Sequence, residues 1–586
     1  MIRAVKDNRR NYFTILIPSV LLMIIFIRSY YWTVQEITKR KILEALIVVF
    51  FVVVLPVISV WIKPINGIIN KWHEGVKETK KFFQSSYQNN KIRLLIEIVT
   101  FLIIAPITVY GIGGVLHNRM MGYTLCAICY VLYFLYIYRN VSEKKPEGLF
   151  ACLAMVTGLL VILVTPASPG VMVDDETHYA RVVDLADFFN GVDYTADERI
   201  LSGFMEVIFE KKGYDKESRD ALYTDLNELY SSRALTSISS GSKGIAYVAY
   251  IPSAIGIIMG RGLSLSYVHI FMLGKVFNLL LFVVIMYYAI KRLRYGKILF
   301  MAMGLIPTLV VISASYSYDG WVFAFLSLGY SYFISMLQGE EKIKTKDIIM
   351  MNIAFFLGFM PKAVYVVIMF PLLFMPKEKF QTKNQRKLYY FVAVIAVILL
   401  VVSFVLPILM GTSTGDHRGG EGISVMGQLS YILHNVKEYI AVLFNFLKDY
   451  LAFGNSQKLF QFYAYLGTGK FYLLVLMTIA VVAFLDKSGD RKRIMPIRIG
   501  AIVGAIGGIL IVATTFYLVF TPVGANTIAG CQYRYILPTL IPFLYFIVPE
   551  GIGSSAKKNW LANVSAFIMS TTLIYNIYNL AVIPYM

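Results

Sequence analysis

Apolar runs close to the length of a bilayer crossing recur along nearly the whole chain, separated by short polar connections. A helix rises about 1.5 Å per residue and the hydrocarbon layer is about 30 Å thick, so roughly 20 apolar residues make one crossing. The pattern predicts spans at residues 12–27, 42–62, 94–116, 121–138 and 149–165. Further spans follow at 267–290, 298–312 and 321–336, a short pair within 348–375, and then 388–410, 471–485, 499–520, 535–548 and 560–583. The total is about 15 crossings, an all-α integral membrane bundle.

The rhythm breaks twice. Between residues 166 and 245 the chain turns polar, with 15 Asp or Glu against 8 Lys or Arg, although the whole protein has only 35 acidic residues. The stretch after it, AYVAYIPSAIGIIMGRGLSLS, is apolar but short and is interrupted by Pro252 and three glycines, so it reads as a helix lying on or re-entering the outer surface. The second break, 411–470, carries GTSTGDHRGGEG and then LSYILHNVKEYIAVLFNFLKDYLAFG, whose helical apolar spacing with interspersed charges suits an interfacial helix.

Composition agrees with this class: 58% hydrophobic and 15% charged residues over 586 positions, with a mean hydropathy of +0.65. A net charge of +20 would suggest nucleic acid for a soluble protein. Here Lys and Arg lie in short connections such as KRLRYGK, GEEKIKTKD and KEKFQTKNQRK, the pattern of cytoplasmic loops, and no nucleic-acid partner is expected. Placing these loops inside puts the N-terminus inside, the C-terminus outside, and both long polar segments outside; TKRK after the first span is the exception. The basic-then-apolar N-terminus reads as an uncleaved first span. Cys126 and Cys129, spaced CxxC, fall within an apolar run and read as small core residues.

The acidic segment opens with VMVDDETHYARVVDLADFFNG. Asp174, His178 and Arg181 share a helical face, with Glu176 beside them, while Val182, Leu185, Phe188 and Phe189 supply an apolar side. A carboxylate pair, Asp174 with Asp175, at the mouth of a bundle can act as general base toward a hydroxyl or can hold a divalent cation, Mg or Mn. A solvated helix start with acids near its N-terminal dipole is the plain alternative. Lys362 in GFMPKAVY falls at the outer end of a helical hairpin, where it faces an anion or snorkels to the headgroups. Arg534 in CQYRYILPTL starts a span from the same side; its fork suits phosphate or carboxylate, or anchors at the interface. Asp319 ends a crossing in SASYSYDG, either as a turn residue or as a supporting acid.

In order along residues 149–550, DDETHYARVVDLADFFNG, the YIPSAIGIIMGRGLSLSYVHIF block, LIPTLVVISASYSYDG, KAVYVVIMFPLLF and QYRYILPTLIPF together resemble the bacterial predicted-membrane family, domain of unknown function 2142. That family is similar to the GT-C superfamily of integral-membrane glycosyltransferases. The usual Asp-Glu, two residues, His becomes Asp174, Asp175 and His178 here. The resemblance makes residues 1–145 an N-terminal four-helix addition and 146–586 a GT-C-like core in a bacterial cytoplasmic membrane. It implies sugar transfer on the outer face from a polyprenyl-phosphate carrier to a glycan or lipid-linked acceptor, with Asp174 or Asp175 as catalytic carboxylate and Lys362 and Arg534 on the donor phosphate. The competing classes are a transporter or flippase for a lipid-linked or anionic substrate, and a polysaccharide polymerase or ligase. A transporter would place its ionisable residues at mid-bilayer between repeats, and no internal repeat is visible.

Overall fold

The computed structural model describes residues 118–139, 145–172, 174–190, 193–194, 214–231, 235–236, 245–339, 341–402, 406, 410, 415–416, 420–452, 455, 458, 460, 463–486, 495–547 and 559–586. The chain divides into two compact units, Met1–Cys126 and Ala127–Met586. The spans expected at 12–27, 42–62 and 94–116, and with them most of the expected N-terminal addition, lie outside the described residues, as do the basic loops at 487–494 and 548–558.

The described chain is helical. In order the helices are α1 (Arg119–Tyr138), α2 (Pro146–Val164), α3 (Asp175–Asn190), α4 (Lys216–Ser231), α5 (Ile251–Gly262), α6 (Tyr267–Arg292), α7 (Lys297–Gly304) and α8 (Pro307–Ser313). They continue with α9 (Asp319–Gln338), α10 (Thr345–Phe359), α11 (Lys383–Leu400), α12 (Val425–His434), α13 (Val436–Tyr450), α14 (Tyr472–Leu485), α15 (Met495–Val519), α16 (Leu537–Pro542) and α17 (Asn559–Ile577). Among the described residues one two-residue antiparallel pair, β1 (Asp193–Tyr194) with β2 (Leu235–Thr236), joins the chain just after α3 to the chain just after α4.

Among the described residues six segments are long and apolar enough to cross a membrane: α1, α2, α6, α9, α15 and the stretch Trp560–Tyr585 that contains α17. Apolar but shorter are α14 and the 3-10 helix Ala363–Phe374. Several expected crossings take another form. The run 298–312 breaks into α7 and α8 ahead of Pro307, which lacks the N–H that a continuous helix would use. Both pieces are buried apart from Lys297, and burial is where irregular backbone is tolerated at membrane depth. Residues 348–375 form α10 and the Ala363–Phe374 3-10 helix. That helix lies so close to α15 that a Cβ on Gly500 would come within 2.9 Å of the Pro371 backbone. The described part of the run expected at 535–548, up to residue 547, is a succession of 3-10, α and π turns around Pro538 and Pro542. At 12 residues, α5 reaches only about 18 Å, short of a full crossing.

The described helices of the acidic segment, α3 and α4, pack onto α5 and α6. Tyr179 and Val182 of α3, Tyr230 of α4, Ile257 of α5 and Phe271 of α6 share one buried cluster, each large side chain contributing roughly 2–3 kcal/mol of burial. Arg261 of α5 reaches Asp187 of α3 at 2.6 Å and the Tyr230 hydroxyl at 3.0 Å, all buried. Arg219 of α4 donates to the Val164 carbonyl at 2.6 Å, satisfying a terminal acceptor of α2. Against expectation, Phe188 and Phe189 lie outside this cluster and are exposed; Tyr179, Val183 and Ala186 supply the apolar face instead. The end of the bundle opposite α3 carries the described basic connections around 291–297, 341–347 and 377–387, pinned by Arg292–Asp347 at 2.6 Å and by the Ile343 N–H donating to the Lys379 carbonyl at 2.9 Å.

Candidate functional site at one end of the bundle

Asp174 precedes α3 with φ +57°, a left-handed conformation that Asp tolerates better than most residues. Its carbonyl accepts from the His178 N–H at 3.0 Å, starting the helix. Adjacent carboxylates therefore reach different cations. Asp174 Oδ2 accepts from Arg534 Nη2 at 2.7 Å and keeps a side chain 26% exposed. Asp175 is fully buried: Oδ2 lies 2.9 Å from Lys275 Nζ of α6, and Oδ1 accepts from the Tyr316 N–H at 2.8 Å. The Tyr316 hydroxyl in turn donates to the Phe271 carbonyl at 2.7 Å, and Asn278 donates to the carbonyls of Ser315 and Ser317. Asp175 is thereby a bolt between α3, α6 and the turn before α9. Glu176 sits half-buried beside it in the first turn of α3.

That same turn delivers Asp319, the first residue of α9. Asp319 bridges two cations from distant parts of the chain: Oδ1 accepts from Lys362 Nζ at 2.6 Å, and Oδ2 lies 3.4 Å from Arg534 Nε. Lys362 Nζ also sits over the Tyr535 ring at 4.1 Å and the Tyr318 ring at 5.2 Å. Burial by itself would lower the Lys362 pKa, but Asp319 and the neighbouring tyrosines outweigh it and hold the ammonium well above its ordinary value. Arg534 behaves the same way, with Tyr535, Asp319 and Asp174 keeping it charged against the effect of burial. Both cations thus persist inside the protein because a carboxylate neutralises them there.

His178 and Arg181 flank this group. His178 Nδ1 is 2.7 Å from the Tyr250 hydroxyl, Arg181 Nη1 donates to that hydroxyl at 3.4 Å, and the His178 ring stands edge-on to Tyr318 at 4.9 Å. Burial pushes the His178 pKa down to about 3 although Asp319 pulls the other way, so the ring is neutral.

The structure thus brings together Asp174, Asp319, Lys362 and Arg534, with His178 and Arg181 alongside, and sets Asp175 apart as an anchor. Asp174 and Asp175 do not converge on one point where a metal could share them, and no group of three or more His, Cys, Asp or Glu among the described residues could hold a metal ion. Sequence reasoning did not single out Lys275, Tyr250, Tyr316, Tyr318 or Tyr535. The signal for Lys275 was present, because a lysine within an apolar span is costly and demands an anion.

The family model described as Predicted membrane protein (DUF2142) matches residues 155–544, well over half of the chain and every residue of this site. No curated protein and no solved structure matches it.

Proposed function

The chain belongs to the DUF2142 family of predicted membrane proteins, and we propose that it is an integral-membrane glycosyltransferase that moves a sugar from a polyprenyl-phosphate carrier to a glycan or lipid-linked acceptor on the outer face of a bacterial cytoplasmic membrane. The observation that carries this reading is the single guanidinium of Arg534, which holds Asp174 on one nitrogen and shares the carboxylate of Asp319 with Lys362 through another. The two oxygens of Asp319 span the two cations much as two non-bridging oxygens of a phosphodiester would. A phosphate reaching Lys362 and Arg534 would share the guanidinium with Asp174, so that one cation holds the base next to the leaving group.

In this reaction Asp174 takes the proton of the acceptor hydroxyl as its oxygen bonds to the anomeric carbon. The bond from that carbon to the phosphate oxygen breaks, and the electrons leave with the polyprenyl phosphate, whose charge Lys362 and Arg534 stabilise. Asp175, locked to Lys275, has no part in the proton transfer. Asp174, Asp319, Lys362, Arg534 and the adjacent Arg181 sum to one net positive charge, which complements a phosphodiester monoanion. The site occupies the end of the bundle opposite the basic connections, the end that the positive-inside rule assigns to the outer face.

The test is transfer from purified polyprenyl-phosphate sugars by the protein in nanodiscs. Asp174→Asn keeps the shape and tolerates the left-handed backbone, and it should lower turnover by about 10²-fold or more while the protein folds and retains donor. Wild-type turnover in Asp174→Asn would refute the assignment, and movement of intact lipid-linked substrate without transfer would favour the transporter class.

A further inference from the structure

The site holds a relay that the reaction as described leaves unused. Arg181 is only a donor, so the Tyr250 oxygen accepts from it, and the Tyr250 O–H is left free to donate to His178 Nδ1, 2.7 Å away. A ring nitrogen that accepts carries no proton, which leaves the hydrogen of the neutral imidazole on Nε2. Among the described residues Nε2 has no hydrogen-bond partner, although the ring is buried to 6% exposure, touches Tyr318 and lies within the electrostatic reach of Asp319, Arg534 and Lys362. Although the residue is buried as a whole, Nε2 itself is not sealed off, and it lies near the cations assigned to the donor phosphate.

We propose that Arg181 and Tyr250 lock His178 in the Nε2–H tautomer and that this N–H donates to a sugar hydroxyl bound in the site; the second half of the proposal rests on the glycosyl-transfer reading. Tyr250 and Arg181 are positioning residues that act through the imidazole. A neutral donor suits a hydroxyl because it adds no charge to a site already balanced for one phosphate. The hydroxyl belongs to the donor sugar or to the acceptor, and the kinetics separate the two.

Two substitutions at one position make the idea refutable. The Gln amide reaches the place of Nε2, whereas the Asn amide reaches that of Nδ1. If His178 serves a ligand, His178→Gln retains kcat/KM to within a fewfold and His178→Asn loses roughly tenfold or more. If it only braces Tyr250, the order reverses, and that result overturns the proposal. Tyr250→Phe should match His178→Asn and add little to it in the double mutant. A change in KM for the lipid-linked sugar places the hydroxyl on the donor, and a change in KM for the acceptor places it there. Asp174→Asn runs alongside: its loss of turnover with unaffected His178 variants refutes this inference alone, whereas full turnover in Asp174→Asn refutes the glycosyl-transfer reading. Independently of activity, ¹⁵N spectra of histidine-labelled protein, assigned by difference with His178→Gln, should show the Nε2–H tautomer and a mixture in Tyr250→Phe. An Nδ1–H tautomer in the wild type would overturn the relay.

Discussion

Replacing Lys275 with methionine removes a charge while keeping most of the side chain's length, and so isolates the bolt between α3 and α6. In the native protein Lys275 is 2% exposed and Asp175 not at all, with 2.9 Å between them. The substitution leaves a carboxylate in the interior with the Tyr316 N–H as its remaining partner described here. Breaking a buried pair from one side costs about 3–5 kcal/mol, because the surviving charge keeps its desolvation penalty. Removing both charges, in Lys275→Met with Asp175→Asn, restores a neutral interior and should cost within about 1 kcal/mol of nothing. The coupling energy in a double-mutant cycle is then several kcal/mol. SDS-induced unfolding in mixed micelles reads the free energies, and sugar transfer reads the consequence for Asp174 one residue away. Were Asp175 the base, the double substitution would regain stability but not transfer. Stability of Lys275→Met within about 1 kcal/mol of wild type, or additive losses in the double mutant, would refute the reasoning.

Lys362→Met and Arg534→Met should each weaken retention of a short polyprenyl phosphate at least tenfold, measured by scintillation proximity in detergent; the added substitution Asp319→Asn should recover stability but not affinity, since it removes the stranded carboxylate without restoring a cation. In a cysteine-free background, Asp225→Cys should react with an impermeant maleimide in whole cells and Lys342→Cys only after lysis, both positions being exposed; the reverse would invert the topology. Because burial lowers the His178 pKa from 6.5 to about 3, the unfolded chain takes up a proton that the folded protein refuses between those values. Stability is therefore present above about pH 6.5 and falls by up to about 1.4 kcal/mol per unit as pH drops toward 3; a melting-point series should show this slope, and His178→Gln should reduce it.

Hydropathy is a local property, so the membrane class, the register of α2, α6, α9 and α15, and the polar character of residues 166–245 could be read directly from the sequence. So could the residue types at the site: Asp174, Lys362 and Arg534 stood out because each breaks an apolar context at a span end. Partnership could not be read in the same way. Asp174 and Arg534 are 360 positions apart, and no periodicity relates them; only the tertiary packing brings Arg534 to both Asp174 and Asp319. The division of labour between Asp174 and Asp175 was equally hidden, since neighbouring carboxylates in one motif look alike until a positive φ directs one to Arg534 and the other to Lys275. Likewise, α7, α8 and the Ala363–Phe374 helix have the composition of spans, and what permits their broken backbones is burial by neighbouring helices, which satisfy or shield polar groups that lipid could not. Which solvent the chain inhabits is written in its composition, but which charge neutralises which is a matter of distance, and distance exists only in the folded protein.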